Sequence, residues 1–358
     1  MPIIKVSKEG CKKDCQFKFM KYKFFVGIDV SKLTFDVACL SSENNQIIVH
    51  HVFSNDENGI KEMLDFLNNS FASYHLSDTL FCMEATGMYC SALLNFFKDA
   101  SANVWVENAI QIKRSSGITR GKQDKIDAHR IALYSFRNAD AVRLWKPSSE
   151  ILEQIRSLAS LRDRMVQTQK KLQTPIDELE AVGEKKMAEL LAKSISKSLK
   201  AIDADIKQIE AKIMALMRKD ESLNHLFKLV TSVVGIGFVT ATNLIIHTNQ
   251  FTVMNDSRKL ACFCGVAPFP HKSGSSIRGK TRVSHMANKK LKTNLHMASL
   301  TAVKFDKELK AYYERKVAEG KHKLSVLNAV KCKLLARVVS VVNNNKEYVQ
   351  KTAEKSLV

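Results

Sequence analysis

The chain has 358 residues, 45% hydrophobic and 26% charged, enough for two domains and a connector around sizeable cores. Lysine and arginine number 56 against 36 aspartates and glutamates, and this formal charge of +20 points to a polyanion partner, nucleic acid foremost. No stretch stays apolar over the width of a bilayer, which excludes a membrane-spanning helix. No apolar run precedes a small-residue cleavage site, so secretion is not expected, and eight cysteines without framework spacing read as free thiols in a reducing cytoplasm.

Residues 1–23 are lysine-rich with little apolar periodicity and read as a flexible basic extension, in which Cys11 and Cys15 lack the second pair a metal site would need. From Phe24 the runs FFVGIDV, TFDVACL and QIIVHHVF follow at hairpin spacing and predict an antiparallel meander. GIKEMLDFLNNSF then places Ile60, Met63, Leu64 and Leu67 on one helical face. TLFCME and NVWVEN read as further strands, with MYCSALLNFFKDA and DKIDAHRIALYSF as helices. Strands followed by alternating helix and strand predict a mixed α/β sheet with helices on its faces.

Residues 148–220 carry no strand signal. A helix from Ile151 to about Leu172 is expected to end near Pro175, with a reversal at Gly183. Ile195, Leu199, Ile202, Ile206, Ile209, Ile213 and Leu216 then step by four and three, a coiled-coil seam over about three heptads. The spacing fits a hairpin packed on its own chain and an oligomerisation arm equally well. Residues 221–342 read as a basic, mainly helical domain, and 343–358 as a tail. Not one acid falls between Ser257 and Phe305, where Lys272, Arg278, Lys280, Arg282, Lys289, Lys290 and Lys292 make a footprint for a phosphate backbone. Gly235-Ile236-Gly237 ahead of an apolar helix fits a helix-hairpin-helix turn or a plain helix–helix turn.

Four acids could carry chemistry. Asp29 follows FFVGI near the centre of a strand, Glu84 ends another, and Asp124 and Asp127 share one face of a helical turn. Each has a plain structural use, as strand end, N-cap or first-turn acid. Together they could converge on hard divalent cations with oxygen ligands, Mg2+ or Mn2+, two of which about 3.5–4 Å apart would serve phosphoryl transfer. Lys113, Arg114, Arg120, Lys122, Lys125 and Arg130 surround the pair, as a phosphodiester would require.

VGIDVSK, MEATGMY, QDKIDAHRIA and GVAPFPHKSGSSIRGKTRVS occur in this order. With them the chain resembles the DEDD insertion-sequence transposases related to the Piv DNA invertase, from about Phe24 to residue 342. The resemblance implies a RuvC-like, RNase H-fold catalytic domain over 24–147, a coiled-coil connector over 148–220 and a C-terminal transposase domain over 221–342. It makes Asp29, Glu84, Asp124 and Asp127 the metal-binding tetrad. It also makes Ser273, which precedes Gly274, the nucleophile that forms a transient phosphoserine in a composite centre; Ser275 and Ser276 are close competitors in sequence. Donor and target DNA, a structured bridge RNA, a dimer or tetramer and the bacterial cytoplasm or nucleoid are the implied partners and location. Two departures stand out: Glu107-Asn108-Ala109 lies where relatives usually have Asn-Pro, and HMANKKLK replaces a stretch often containing glycine. A junction-resolvase-like nuclease or invertase using the acids without RNA is the alternative, and a binding protein with a decayed site a third reading.

Overall fold

The computed structural model describes residues 21–43, 47–71, 73–85, 87–115, 124–273, 277–284 and 286–350. The chain divides into two units, Met1–Pro147 and Ser148–Val358.

In the first unit the apolar runs become β1 (Phe24–Val30), β2 (Thr34–Ser41) and β3 (Ile47–Ser54), followed by α1 (Glu57–Ser70) and β4 (Thr79–Glu84). Next come α2 (Ser91–Asp99), β5 (Asn103–Glu107), α3 (Ala109–Ser115) and α4 (Asp124–Arg137). They form a five-stranded sheet of order β3-β2-β1-β4-β5. The first three strands are the expected antiparallel meander, whereas β4 lies parallel to β1 and β5 parallel to β4. As the central strand, β1 buries both faces, which is why FFVGI is apolar without alternation. Phe24, Val26 and Ile28 pack with Ile60, Met63 and Leu67 of α1 and Leu93 and Phe97 of α2. Phe25, together with Ala38, Leu40, Leu80, Cys82 and Trp105, packs with Ala128, Ile131 and Ala132 of α4. Asp56 caps α1, its carboxylate accepting from the Gly59 N–H at 2.9 Å.

The second unit opens with α5 (Glu150–Ala181) and α6 (Lys185–Lys219), an antiparallel pair that turns at Gly183. Helix α5 does not stop near Pro175. The proline forfeits one backbone bond and crowds the preceding turn. It stands on the exposed face, where the freed carbonyl can meet water, while the next residue, Ile176, is buried and holds the helix in place. Of the heptad seam, Ile206, Ile209 and Ile213 are buried, Met217 takes the buried place expected for Leu216, and Ile195, Leu199 and Ile202 remain half-buried.

The base of this pair shares one core with the helices that follow. These are α7 (Glu221–Thr231), α8 (Phe238–His247), α9 (Ser257–Phe263), α10 (Lys289–Phe305), α11 (Lys307–Ala318) and α12 (Lys323–Asn344). Leu152, Ile155, Ile213 and Met217 pack with Leu244, Leu291, Leu295, Leu334 and Val338. The helical reading of this region misses one hairpin, β6 (Pro268–Ser273) with β7 (Ile277–Val283). Its strands alternate poorly and are rich in lysine and arginine, so neither reads as a half-buried strand. Among the described residues no cysteine is joined in a disulfide, and no helix is long and apolar enough to cross a membrane. Cys11 and Cys15 lie outside the described residues.

Candidate active site

The two-residue period of the strands decides where the acids point. Phe25 and Gly27 face α4, and Asp29 continues that series as the sixth of seven residues in β1, at the strand's end rather than its centre. Cys82 faces α4 on β4, so Glu84 does as well. Helix α4 crosses directly over Gly27, where a methyl group would run into the Ala128 carbonyl and the Ala132 nitrogen. That close crossing brings the first turn of α4, with Asp127, to the end of the sheet where Asp29 and Glu84 stand.

The electrostatics record the convergence. Burial raises the Glu84 carboxyl above its ordinary value, and the nearby charge of Asp127 adds to the rise. Asp127 itself pairs with Arg130 Nη1 at 2.7 Å on the same helix face. Asp124 opens α4 one turn earlier; its side chain, like that of Lys125, lies outside the described residues, as does Lys122 altogether. Among the described residues no three acid, histidine or cysteine side chains are grouped so that they could hold a metal ion. The chemistry of the donors nevertheless fits a divalent cation: all are carboxylates, and burial and then the neighbouring Asp127 charge disfavour ionisation of Glu84, a penalty a cation would offset.

Four further polar residues line the same face. Asp36 stands opposite Asp29 in the β1–β2 register. It hydrogen-bonds His50 at 3.0 Å, and the His50 ring meets the His129 ring of α4 edge-on at 5.6 Å. On the other side Glu107 is the register partner of Glu84. Its two oxygens accept from the Asn108 N–H at 2.7 Å and from the Tyr134 hydroxyl at 3.3 Å. Burial and then the Glu107 carboxylate push the Tyr134 phenol up to about 12, which keeps it a donor. The departure at Glu107 is therefore a tie between β5 and α4. None of these four is visible without the strand register; the signal that could have found Asp36 and Glu107 is parity, an acid in phase with Asp29 or Glu84 on a neighbouring strand.

In the second unit Ser273 is the last residue of β6, paired with Ile277. Lys272 and Arg278 are cross-strand partners. The side chains of Ser273, Lys272, Arg278 and Lys280 lie outside the described residues, as do Gly274, Ser275 and Ser276 entirely. Arg282 and Lys289 are exposed, Lys292 is half-buried, and Lys290 pairs with Asp163 of α5. At the Gly235-Ile236-Gly237 turn, Gly235 has φ +97°, and a Cβ there would lie 2.6 Å from the Ala298 carbonyl, so its bareness serves α10 packing. Gly237, ahead of α8, meets nothing within 4 Å.

Family comparison completes the picture. Residues 26–179 match the DEDD transposase domain of the IS110 type, and residues 227–314 match the IS116/IS110/IS902 transposase family. The chain belongs to the IS110 family of transposases. It is 26% identical to the pilin gene-inverting protein of Moraxella bovis over 91% of this chain and 98% of that protein. The counterpart from Moraxella lacunata is 25% identical over the same shares. An uncharacterized 43.6 kDa protein of insertion element IS110 from Streptomyces coelicolor is 29% identical over 37% of this chain and 32% of its own length. Membership in the IS110 family makes the chain an enzyme acting on DNA, and its mixed α/β unit is consistent with a RuvC-like domain.

Proposed function

We propose that this IS110-family transposase cuts and rejoins DNA strands with the carboxylates of Asp29, Glu84, Asp124 and Asp127 and the hydroxyl of Ser273, guided by a structured bridge RNA. The observation that carries the reading is the pair of carboxylates, Glu84 and Asp127, brought together from sheet and helix with Glu84 disfavoured as an anion. The four acids would hold Mg2+ or Mn2+. When bound, such ions neutralise charge on the phosphate and lower the barrier to proton loss from an attacking hydroxyl. The serine oxygen bonds to phosphorus, its proton passes to a base, and a strand hydroxyl leaves. A hydroxyl of a second strand then attacks the phosphoserine and returns the serine, so no bond energy is lost between cutting and joining. Lys272, Arg278 and Lys280 are the cations nearest Ser273 in sequence and would neutralise the phosphate.

The test is recombination between DNA molecules carrying the native flanking sequences, with and without their transcript. Ser273→Ala should lose both strand exchange and the protein–DNA adduct, while Ser275→Ala and Ser276→Ala keep the adduct. An adduct that persists in Ser273→Ala removes the serine assignment. Exchange that proceeds fully without the transcript removes the guide RNA. A second reading is inversion of a DNA segment without RNA, and the near full-length match to the Moraxella gene-inverting proteins favours its inversion part. The same assay separates the two through the arrangement of its products.

A further inference from the structure

Lys331 lies in the middle of α12 and is only 7% exposed. A buried ammonium is costly unless an acid pairs with it. No carboxylate among the described residues pairs with it, and the charge felt most strongly is that of a second lysine, Lys292 in the first turn of α10. Burial and that repulsion both hold Lys331 below the ordinary lysine value. The neighbouring hairpin cannot supply the missing acid, because the sequence from Ser257 to Phe305 contains none.

The surroundings fix this pair of cations in place. Three residues before Lys331, Asn328 donates to the Val266 carbonyl at 2.6 Å, and directly after it the Cys332 thiol approaches the same carbonyl at 3.4 Å. Val266 lies two residues ahead of β6, so α12 grips the root of the hairpin that carries Ser273. The Lys292 stem lies beside Gly265 at the same root. Two lysines from different helices thus stand near enough to repel each other where the hairpin leaves the helical core, with no acid paired to Lys331 among the described residues. Packing alone would be served better by leucine or methionine at 331.

We propose that Lys331 and Lys292 form a phosphate-binding site at the root of the β6–β7 hairpin, taking one backbone phosphate of the nucleic-acid strand on which the enzyme acts. The site rests on the reading of the chain as a DNA-acting enzyme and adds a contact on α12, beyond the residues that match either transposase family description.

Lys331→Met keeps the length of the stem and removes the charge, and Lys292→Met does the same at a less buried position. Both are made in the full chain, and binding of a generic DNA duplex is followed across a salt series, beside thermal melting with and without inorganic phosphate. Each variant should bind the duplex about threefold to tenfold more weakly at low salt, with a salt slope smaller by about one. Lys331→Met should also melt no lower than the parent. Unchanged affinity and slope in both variants, whatever the melting temperature, would overturn the site. A phosphate-induced melting shift abolished in Lys331→Met, beside unchanged duplex binding, would mean that the two lysines take free phosphate and would overturn the strand contact. Failure of the parent chain to bind any duplex would instead remove the DNA reading itself.

Discussion

Asp127 reaches from α4 close enough to Glu84, at the end of β4, for its charge to oppose Glu84's ionisation. Glu84 is raised above its unfolded value, so the folded, metal-free chain binds more protons than the unfolded one between the two values. Stability therefore falls as pH rises from the unfolded value through the folded one. Glu84→Gln should raise the neutral-pH melting temperature of metal-free protein by about 2–4 °C. Mg2+ should stabilise the parent and not this variant. Calorimetry in chelator and in Mg2+ checks both, and a lower melting point for Glu84→Gln would contradict the shared site.

Asp29→Asn preserves size and removes one of the proposed ligands. Strand exchange should drop to background while nucleic-acid binding stays within about twofold, since few phosphate contacts are altered. Gel-shift and recombination assays run on the same preparation give the comparison, and exchange at the parent rate would end the metal-site assignment.

Gly27→Ala tests the crossing of α4 over β1. The added methyl meets helix backbone at Ala128 and Ala132 and not a movable side chain. A loss of about 1–3 kcal/mol is expected, together with recombination activity, although no acid has changed. Urea unfolding followed by circular dichroism measures the first quantity.

The helical pair offers two contrasting changes. Ile213 is fully buried in the second unit's core, so Ile213→Asp should lower stability by about 3 kcal/mol or more. Leu199 is half-buried. If the outer half of the seam forms an arm between copies, Leu199→Asp should lower the oligomeric mass by light scattering and leave most of the melting temperature intact. An unchanged mass would confine the seam to one chain.

Lys289 and Lys290 are neighbours in sequence and differ in what holds them. Lys290 is engaged by Asp163, whereas Lys289 is exposed. Lys289→Ala should reduce the salt slope of nucleic-acid binding by about one, and Lys290→Ala by less. Equal reductions would show that the Asp163 pair opens on binding.

Much of the first unit is legible in the sequence because its strands are short apolar runs separated by polar turns, and α1 shows its buried face through Ile60, Met63 and Leu67. The four acids are legible as candidates, although Asp29 reads as mid-strand and the structure puts it at the end of β1; their joint role remains a proposal. Asp36, His50, His129 and Glu107 are not legible, because what unites them with Asp29 and Glu84 is cross-strand register and helix docking. Pro175 misled the reading of α5 because a proline's local cost says nothing of the long partner helix that offsets it. The β6–β7 hairpin escaped because its residues are chosen for charge, and β-strand signals rest on alternating apolar side chains.

The bare backbone at Gly27 has a consequence for timing. Asp29 and Glu84 belong to strands, while Asp124 and Asp127 belong to a helix that docks by laying its own main chain on that glycine. A nascent chain stalled before residue 124 holds half of the acids and nothing to complete them. Undocking α4 would likewise disarm the acids as a group, with every residue still present. On the proposed reading, cutting competence then waits on a finished domain, because the helix that completes the acids is also the one whose docking closes the sheet.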